Sequence, residues 1–555
     1  MAPAARPARP TRARGPRAPR IALLLGLDLG STHVKAVLAT ADGAVLAVAR
    51  RPTPLRRLGR GRAAHDPDAL VGAAEAALAE VAAAAGGRTI AGLGVAGMAE
   101  AGLLIDRRGR PLGEVIPWWD PRSEAEAQAI ATEVGAARLF AVTGLRPQAK
   151  HSLAKLLWLR RHRPAAVGRA RAWAGVPELV VHALAGDLAT NASLASRTQA
   201  FDVGAGRWDE ELLDLAGFSA ERMPEVVPLG RPAGGLLPGS AARLGLPAGL
   251  PVAVAGHDHL VGALGAGIVR PGQALDSMGS AEACLLVTER PVLDDRLRLA
   301  GCSVGRHALD GVAYVMAGLQ ASGALVEWFI QTFLAGASGG RPGDAERYRA
   351  FVDLLESRRD GPSGLIVLPY PRGRTAPAPD PAARLAILGL DLETGLPALG
   401  LGVLEGTAFA VRWIFEEIAR TSGVRIRAVG LIGGGTRNPA WLRVKRAVAP
   451  WPLKLAETEE AAALGAALVG GLAGDVFGSV RDALAATAPL RSLAAPPAGT
   501  AAAFDRAYRT GFLAAVGAPS PDGPPRPARP AAGRNADERR RAAGPGAPLT
   551  PAGPS

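Results

Sequence analysis

Ile21-Ala-Leu-Leu-Leu-Gly-Leu-Asp28-Leu-Gly30-Ser31-Thr32-His-Val-Lys35 is the stretch that decides the fold. Ile21–Leu27 is a short apolar run suited to a buried strand. An acid interrupts it, a Gly-Ser-Thr turn follows, and Val34–Ala39 supplies a second strand. Asp42-Gly43 is a hairpin signal leading into a third strand at Val45–Val48. A meander of this kind is the wrong opening for a doubly wound dinucleotide fold, whose first strand runs directly into a helix. The turn also suits a phosphate. Gly30 lets the backbone approach closely, successive N–H groups in such a turn form an anion nest, and Ser31 and Thr32 add hydroxyls. Asp28 offers a hard oxygen ligand to Mg²⁺. Lys35, in the second strand, faces either phosphate or solvent. Taken alone, the segment also fits an ordinary β-turn.

Further along, Pro67–Ala85 has helical spacing, Ile90–Ala96 and Gly102–Ile105 read as strands, and Arg122–Thr132 and Lys155–Arg161 read as helices. Leu250–Ala255 is a strand that runs into Gly256-His257-Asp258-His259 and a small-residue helix. The opening theme then returns. Gln273–Met278 and Ala283–Thr288 flank Gly279-Ser280, and Ala428–Ile432 runs into Gly433-Gly434-Gly435. Two related α/β domains are expected, 21–268 and 269–490, with a cleft between them. A helical segment over 491–516 is expected to follow.

The net charge of +14 is concentrated at the ends. Residues 1–20 carry six arginines and no acid, and residues 517–555 carry six arginines against three acids. These Pro/Arg/Ala/Gly-rich tails are expected to be disordered. The body is nearly neutral and has no aromatic-interleaved basic groove, so no nucleic-acid partner is expected. Two cysteines do not make a disulfide framework. No apolar run reaches the roughly 18 residues of a membrane span, so no membrane association and a cytoplasmic location are expected.

Several residues carry candidate chemistry. Asp258, just after a buried strand, suits a general base that takes a proton from an attacking hydroxyl. It suits a helix N-cap equally well. Adjacent residues on an extended segment point in opposite directions, so His257-Asp258-His259 is not expected to form a three-ligand metal site. Glu100, Trp118, Asp120 and Arg122 combine carboxylates for sugar hydroxyls with an aromatic face for C–H bonds; surface charges plus a core Trp is the other reading. His257 and His259 are further candidates for hydroxyl binding. Gly433, Gly434, Gly435 and Asn438 leave bare backbone beside which adenine can lie, or form a flexible loop. Gly92-Leu-Gly94-Val-Ala-Gly97 matches G-x-G-x-x-G, but a strand follows where a dinucleotide site needs a helix.

In this order and spacing, the segments resemble the FGGY family of carbohydrate kinases across roughly residues 21–480. Asp28–Lys35 resembles its first phosphate segment, and Ile116-Pro-Trp-Trp-Asp-Pro-Arg122 its W-x-D-x-R stretch. Ser152–His162 resembles a family signature that departs at its first position, Lys150. Gly256-His-Asp258 resembles the catalytic segment, Asp276–Ser280 the second phosphate loop, and Gly433–Asn438 the adenine loop. The resemblance implies two actin-like/hexokinase-like (ribonuclease H-like) ATPase domains flanking a central cleft. It implies ATP and Mg²⁺ as cofactors, a small sugar or polyol as acceptor, and a homodimer as the expected assembly. Asp258 is the implied base, with Asp28 and Asp258 near the metal. Gly30, Ser31, Thr32, Lys35, Gly279 and Ser280 are implied at the phosphates, and Gly323 beside the nucleotide. D-Xylulose is the single expected acceptor, ahead of glycerol, erythritol and other ketoses. Met98, Ala99 and Glu282 depart from the family pattern, as do Pro371–Pro377 and the segment near Gly389. These departures bear on the substrate. A non-catalytic sugar or nucleotide sensor on the same fold is the alternative, and intact Asp28 and Asp258 argue against it.

Overall fold

The computed structural model describes residues 22–334, 344–356 and 361–518. Apart from Gly517 and Ala518, the two tails lie outside the described residues.

The first half contains strands β1 (Leu23–Leu29), β2 (His33–Thr40), β3 (Val45–Pro52), β4 (Ile90–Gly97) and β5 (Pro251–His257), with helix α1 (Pro67–Ala83) after β3. Asp66 starts α1 as its N-cap, its side chain accepting from the Ala69 N–H at 2.8 Å, and Pro67 fits the first helical position. The sheet order is β5-β4-β1-β2-β3, with Gly234–Gly235 added at the β5 edge. The meander β1-β2-β3 is antiparallel, while β4 and β5 run parallel to β1.

The second half repeats this pattern. Its strands are β6 (Gln273–Met278), β7 (Glu282–Thr288), β8 (Ser303–Arg306), β9 (Ala313–Leu319), β10 (Ala428–Ile432), β11 (Leu453–Leu455) and β12 (Arg491–Ser492), in the order β8-β9-β7-β6-β10-β11-β12. Again an antiparallel meander, β6-β7-β9, lies beside two strands parallel to its first member, β10 and β11. The expected pair of related α/β units is therefore present, down to strand direction. The segment at 491–516 opens as the edge strand β12 and becomes helical only from Ala498, where Phe504, Tyr508 and Phe512 bury themselves against the second core.

Five further helices place the site: α2 (Ser152–His162), α3 (Asp258–Gly265), α4 (Gly323–Phe333), α5 (Leu396–Ser422) and α6 (Pro439–Val448). Among the described residues α5 alone is long and apolar enough to cross a membrane, yet 94% of its most apolar stretch is buried inside the protein. It is the central core helix of the second half, touching α6, β7 and β9. A helix of the second half packs on the first. Helix α7 (Ala461–Ala473) belongs to the second half by sequence but lies on β1 and β4 of the first sheet and on α3. Glycines make this possible. A Cβ on Gly26 would stand 1.9 Å from the Ala463 carbonyl oxygen, and one on Gly94 1.9 Å from that of Ala466. The G-x-G-x-x-G match at Gly92–Gly97 thus lies within β4, and its first two glycines admit the backbone of a helix rather than a pyrophosphate.

Candidate active site

Both phosphate-type turns are present, at the C-terminal ends of the first strands of the two sheets. In the first, the Gly30 N–H donates to the His33 carbonyl at 3.1 Å, and the Thr53 hydroxyl donates to the Gly30 carbonyl at 2.7 Å, which fixes the turn from outside. Trp118, 37% exposed, donates its indole N–H to the Ser31 hydroxyl at 2.9 Å. In the second, Gly279 and Ser280 are exposed and dock on the start of α4. The Gly323 N–H donates to the Gly279 carbonyl at 3.0 Å, and a Cβ on Gly323 would come within 2.7 Å of that oxygen. Gly323 is thus needed for the close approach of helix and turn.

Asp28 and Asp258 face each other across the ends of β1 and β5. Asp28 is buried, and its Oδ1 has no hydrogen-bond partner. Burial and the charge of Asp258 push its carboxyl up to about 7, against the pull of Lys35. Asp258 opens α3. Burial raises its carboxyl, but His259, His257 and the hydrogen bond from the His259 N–H outweigh it and hold the group below its ordinary value. Burial pushes the His257 imidazole down to about 4, so that ring is neutral at pH 7. The pair therefore holds an ionised Asp258 beside a carboxyl that gives up its proton only near neutrality.

His257, Asp258 and His259 do converge, contrary to the sequence expectation. Their ligand atoms all lie within 4.8 Å of one another, with the His257 and His259 Nε2 atoms 3.2 and 4.0 Å from Asp258 Oδ1. The alternation argument fails because the chain passes from strand to helix at Asp258.

Other sequence candidates need reassignment. Asp120 is buried and fully engaged. Its Oδ1 accepts from the Arg122 N–H and Nε, and its Oδ2 from the Ala63 N–H and Arg122 Nη2. Arg122 also donates to the Ala63 carbonyl and lies over the Trp158 ring. These two residues fix the loop that carries Trp118 and leave no lone pair for a sugar. Asn438, fully buried, is the N-cap of α6, its Oδ1 accepting from the Trp441 N–H at 3.0 Å while its Nδ2 has no hydrogen-bond partner. Gly433 and Gly435 pack against Met278 of β6, and Gly434 is exposed. Lys35 pairs with Glu460 at 2.9 Å, at the start of α7, together with Arg50. Lys35 therefore ties the two halves together beside Asp28.

Glu100 has a left-handed backbone, φ 68°, and a buried side chain. It is not free: Arg197 donates to its Oε1 at 2.6 and 3.2 Å, with His151 at 3.4 Å and Lys150 at 3.7 Å from the same oxygen. Burial raises its carboxyl, but Arg197, Lys150 and His151 together hold it well below the usual range.

A second buried ion cluster went unread in the sequence. Lys445 of α6 donates to Asp276 Oδ2 at 2.6 Å and to Glu282, which also accepts from the Ser322 hydroxyl. All three side chains are at most 4% exposed, and burial together with Glu282 pushes the Asp276 carboxyl well above its ordinary value. The cluster clamps both strands of the second turn to α6 and to the residue before α4. One signal was available. The chain has only five lysines among 64 basic residues, and Lys35, Lys155 and Lys445 each make a specific tie to a carboxylate or a backbone carbonyl.

The repeated sheets, the two turns and the facing aspartates match one family throughout. The N-terminal domain of the FGGY family of carbohydrate kinases matches residues 23–265, and the family's C-terminal domain matches residues 276–474. The chain belongs to the FGGY family of carbohydrate kinases. As an FGGY protein it is a phosphotransferase with an alcohol group as acceptor, and ATP is the family's phosphate donor. It is 26% identical over 461 residues to a xylulose kinase of Bacillus subtilis, spanning 83% of this chain and 90% of that one. It is 32% identical over 463 residues to a glycerol kinase of Thermus brockianus, spanning 81% and 89%. Among solved structures, a xylulose kinase from Rhodospirillum rubrum superposes with a TM-score of 0.78 at 28% identity, covering 89% of this chain and 98% of that one. The FGGY fold expected from the ordered segments is therefore present, while relatives of similar identity differ in acceptor.

Proposed function

We propose that the protein transfers the γ-phosphate of ATP to a hydroxyl of a small ketose or polyol, with Asp258 as general base. The observation that carries this reading is an ionised carboxylate at the head of α3 whose charge acts on the buried Asp28, two residues before the first phosphate-type turn. Asp258 takes the proton of the acceptor hydroxyl. The acceptor oxygen forms its bond to the γ-phosphorus as the bond to the bridging oxygen breaks, and ADP leaves. Gly30, Ser31 and Thr32 hold the phosphates from one side, and Gly279 and Ser280 from the other. Closure of the halves excludes water and suppresses idle hydrolysis.

The unpartnered, buried Oδ1 of Asp28 fits a hard cation. Asp28 would hold Mg²⁺ with Asp258 beside it, and the ion would neutralise charge on the phosphate oxygens. Trp118, steered by Ser31, offers an aromatic face to the acceptor. D-Xylulose is the first acceptor to test, by family resemblance. The test is ADP formation in a coupled assay across ketoses, polyols and sugar acids. Acceptor-dependent ADP release supports a kinase, whereas binding without ADP release would make the protein a sensor.

A further inference from the structure

His257, Asp258 and His259 turn three donor atoms toward one point, and the backbone around them is braced to do so. The register of β5 against β4 shifts between Val254 and Gly256, and an irregularity of this kind re-aims the side chains beside it. Gly256 has φ 127°, and a Cβ there would stand 2.5 Å from the Ser193 hydroxyl oxygen. That hydroxyl accepts from the His257 N–H at 3.0 Å and donates to Asn191 Oδ1 at 2.7 Å, while Asn191 Nδ2 donates to the Ala308 carbonyl at 3.2 Å. Asn191, Ser193, His257 and Ala308 are all buried. The brace fixes His257 against the first residue of α3. The His259 N–H donates to Asp258 Oδ1 at 2.6 Å, which holds the carboxylate in turn.

The His257 and His259 Nε2 atoms lie 3.2 and 4.0 Å from the same Asp258 oxygen, with the two rings nearly perpendicular and their centroids 5.3 Å apart. Bonds of about 2.1 Å to a tetrahedral ion place its ligand atoms roughly 3.4 Å from one another. The His257–Asp258 pair is already near that spacing, and the His259 ring, 37% exposed, has room to close the rest. Mg²⁺ takes oxygen ligands and would not choose this set. Two imidazoles and a carboxylate suit Zn²⁺ and its d-block neighbours. We infer that His257, Asp258 and His259 form a reversible site for a divalent d-block ion, Zn²⁺ foremost, and that the bound ion silences the enzyme by occupying Asp258 Oδ1. The inhibitory half rests on the kinase reading; the binding half does not. Affinity is limited by the outer sphere. A metal-bound histidine usually gives its second nitrogen to a partner, whereas His257 Nδ1 is buried without one. The site therefore suits reversible control by free metal rather than a structural ion.

The full-length protein, stripped of metal, should be titrated with Zn²⁺ by calorimetry and with Co²⁺ by visible absorption. A single equivalent of Zn²⁺ should bind, the intense absorption of four-coordinate Co²⁺ should appear, and a large excess of Mg²⁺ should displace neither ion. His259→Gln removes a half-exposed ligand and should weaken Zn²⁺ binding by about tenfold or more, the loss that even an outer-sphere partner causes. His257→Gln should do the same, with circular dichroism showing that each variant folds, and His162→Gln on α2 should leave binding unchanged. Zn²⁺ held equally well by the His257 and His259 variants, or displaced by Mg²⁺, overturns the inference. With Mg²⁺ in excess over ATP, filling the site with Zn²⁺ should lower ADP formation by about a hundredfold or more, the share of a general base. A zinc-selective chelator should restore it, and His259→Gln should need more Zn²⁺ for the same fractional loss. Acceptor-dependent ADP release that continues with the site filled, or with no Zn²⁺ bound at all, overturns the inference and leaves the kinase reading intact. Zn²⁺ binding that both histidine variants lose, with no ADP formed from any acceptor, would uphold the site and defeat the kinase reading.

Discussion

The two strand–turn–strand units place an aspartate near the same point, and one residue of register separates their fates. Asp28 stands two positions before the turn glycine Gly30, and Asp276 stands three before Gly279. Side chains alternate along a strand, so this offset sends them to opposite faces. Asp28 faces Asp258 and keeps an unpartnered oxygen. Asp276 faces α6, where Lys445 and Glu282 complete a buried ion cluster. The position matching Asp28 in the second unit is Ser277, which carries no charge. The repeat thus yields one turn equipped for a cation and one equipped only with backbone and hydroxyl donors.

The sharpest way to break this division is at the base that faces Asp28. Asp258→Ala should lower turnover by about a thousandfold or more, with circular dichroism and ATP binding retained, because general-base catalysis contributes roughly 10²–10⁴. Near-normal sugar phosphorylation by that variant would remove the basis for the whole site. Next comes the sealed aspartate. Lys445→Met takes the cation from two buried carboxyl groups and should destabilise by about 3–5 kcal/mol in urea unfolding. Adding Glu282→Gln to it should recover part of that loss, and full additivity of the two changes would show that they do not interact.

A gentler test concerns the open aspartate. In the folded protein Asp28 titrates near 7, above its ordinary 3.8. Without metal or nucleotide, the folded state keeps a proton that the unfolded chain has released, so stability falls as pH rises from about 4 to about 7. Asp28→Asn removes that slope. Its melting temperature should gain on the wild type as pH rises through this window and level off above it. A constant difference would show that Asp28 is not held protonated. The smallest effect is expected at Asp120. Asp120→Asn should weaken the Arg122 loop and raise KM for the acceptor only modestly, since the residue acts on Trp118 through the backbone. Loss of activity comparable to the Asp258 variant would return Asp120 to the sugar.

Much of this was legible because it is local. β1, β6 and β10 appear in the sequence as apolar runs ending in a turn, and Asp28 and Asp258 announce themselves at strand ends. Asn438, followed by Pro439 at a helix start, carried an N-cap signature that the family resemblance obscured. What stayed hidden depends on distant partners. Asp120 looks like a sugar ligand until Ala63 donates to it, and Glu282 is an oddity until Lys445 arrives from 163 residues away. His257 and His259 were misjudged for another reason: the strand-to-helix change falls between them.

The glycine strip under α7 also sets a clock. Synthesis delivers Gly26, Gly92 and Gly94 early, but the helix that covers them follows Gly94 by about 370 residues. At about 5–20 residues per second, that face of the first sheet stays bare on the ribosome for roughly 20–70 s. The joint between the halves is therefore completed last, and a chain ending before residue 461 leaves an apolar face with nothing to cover it.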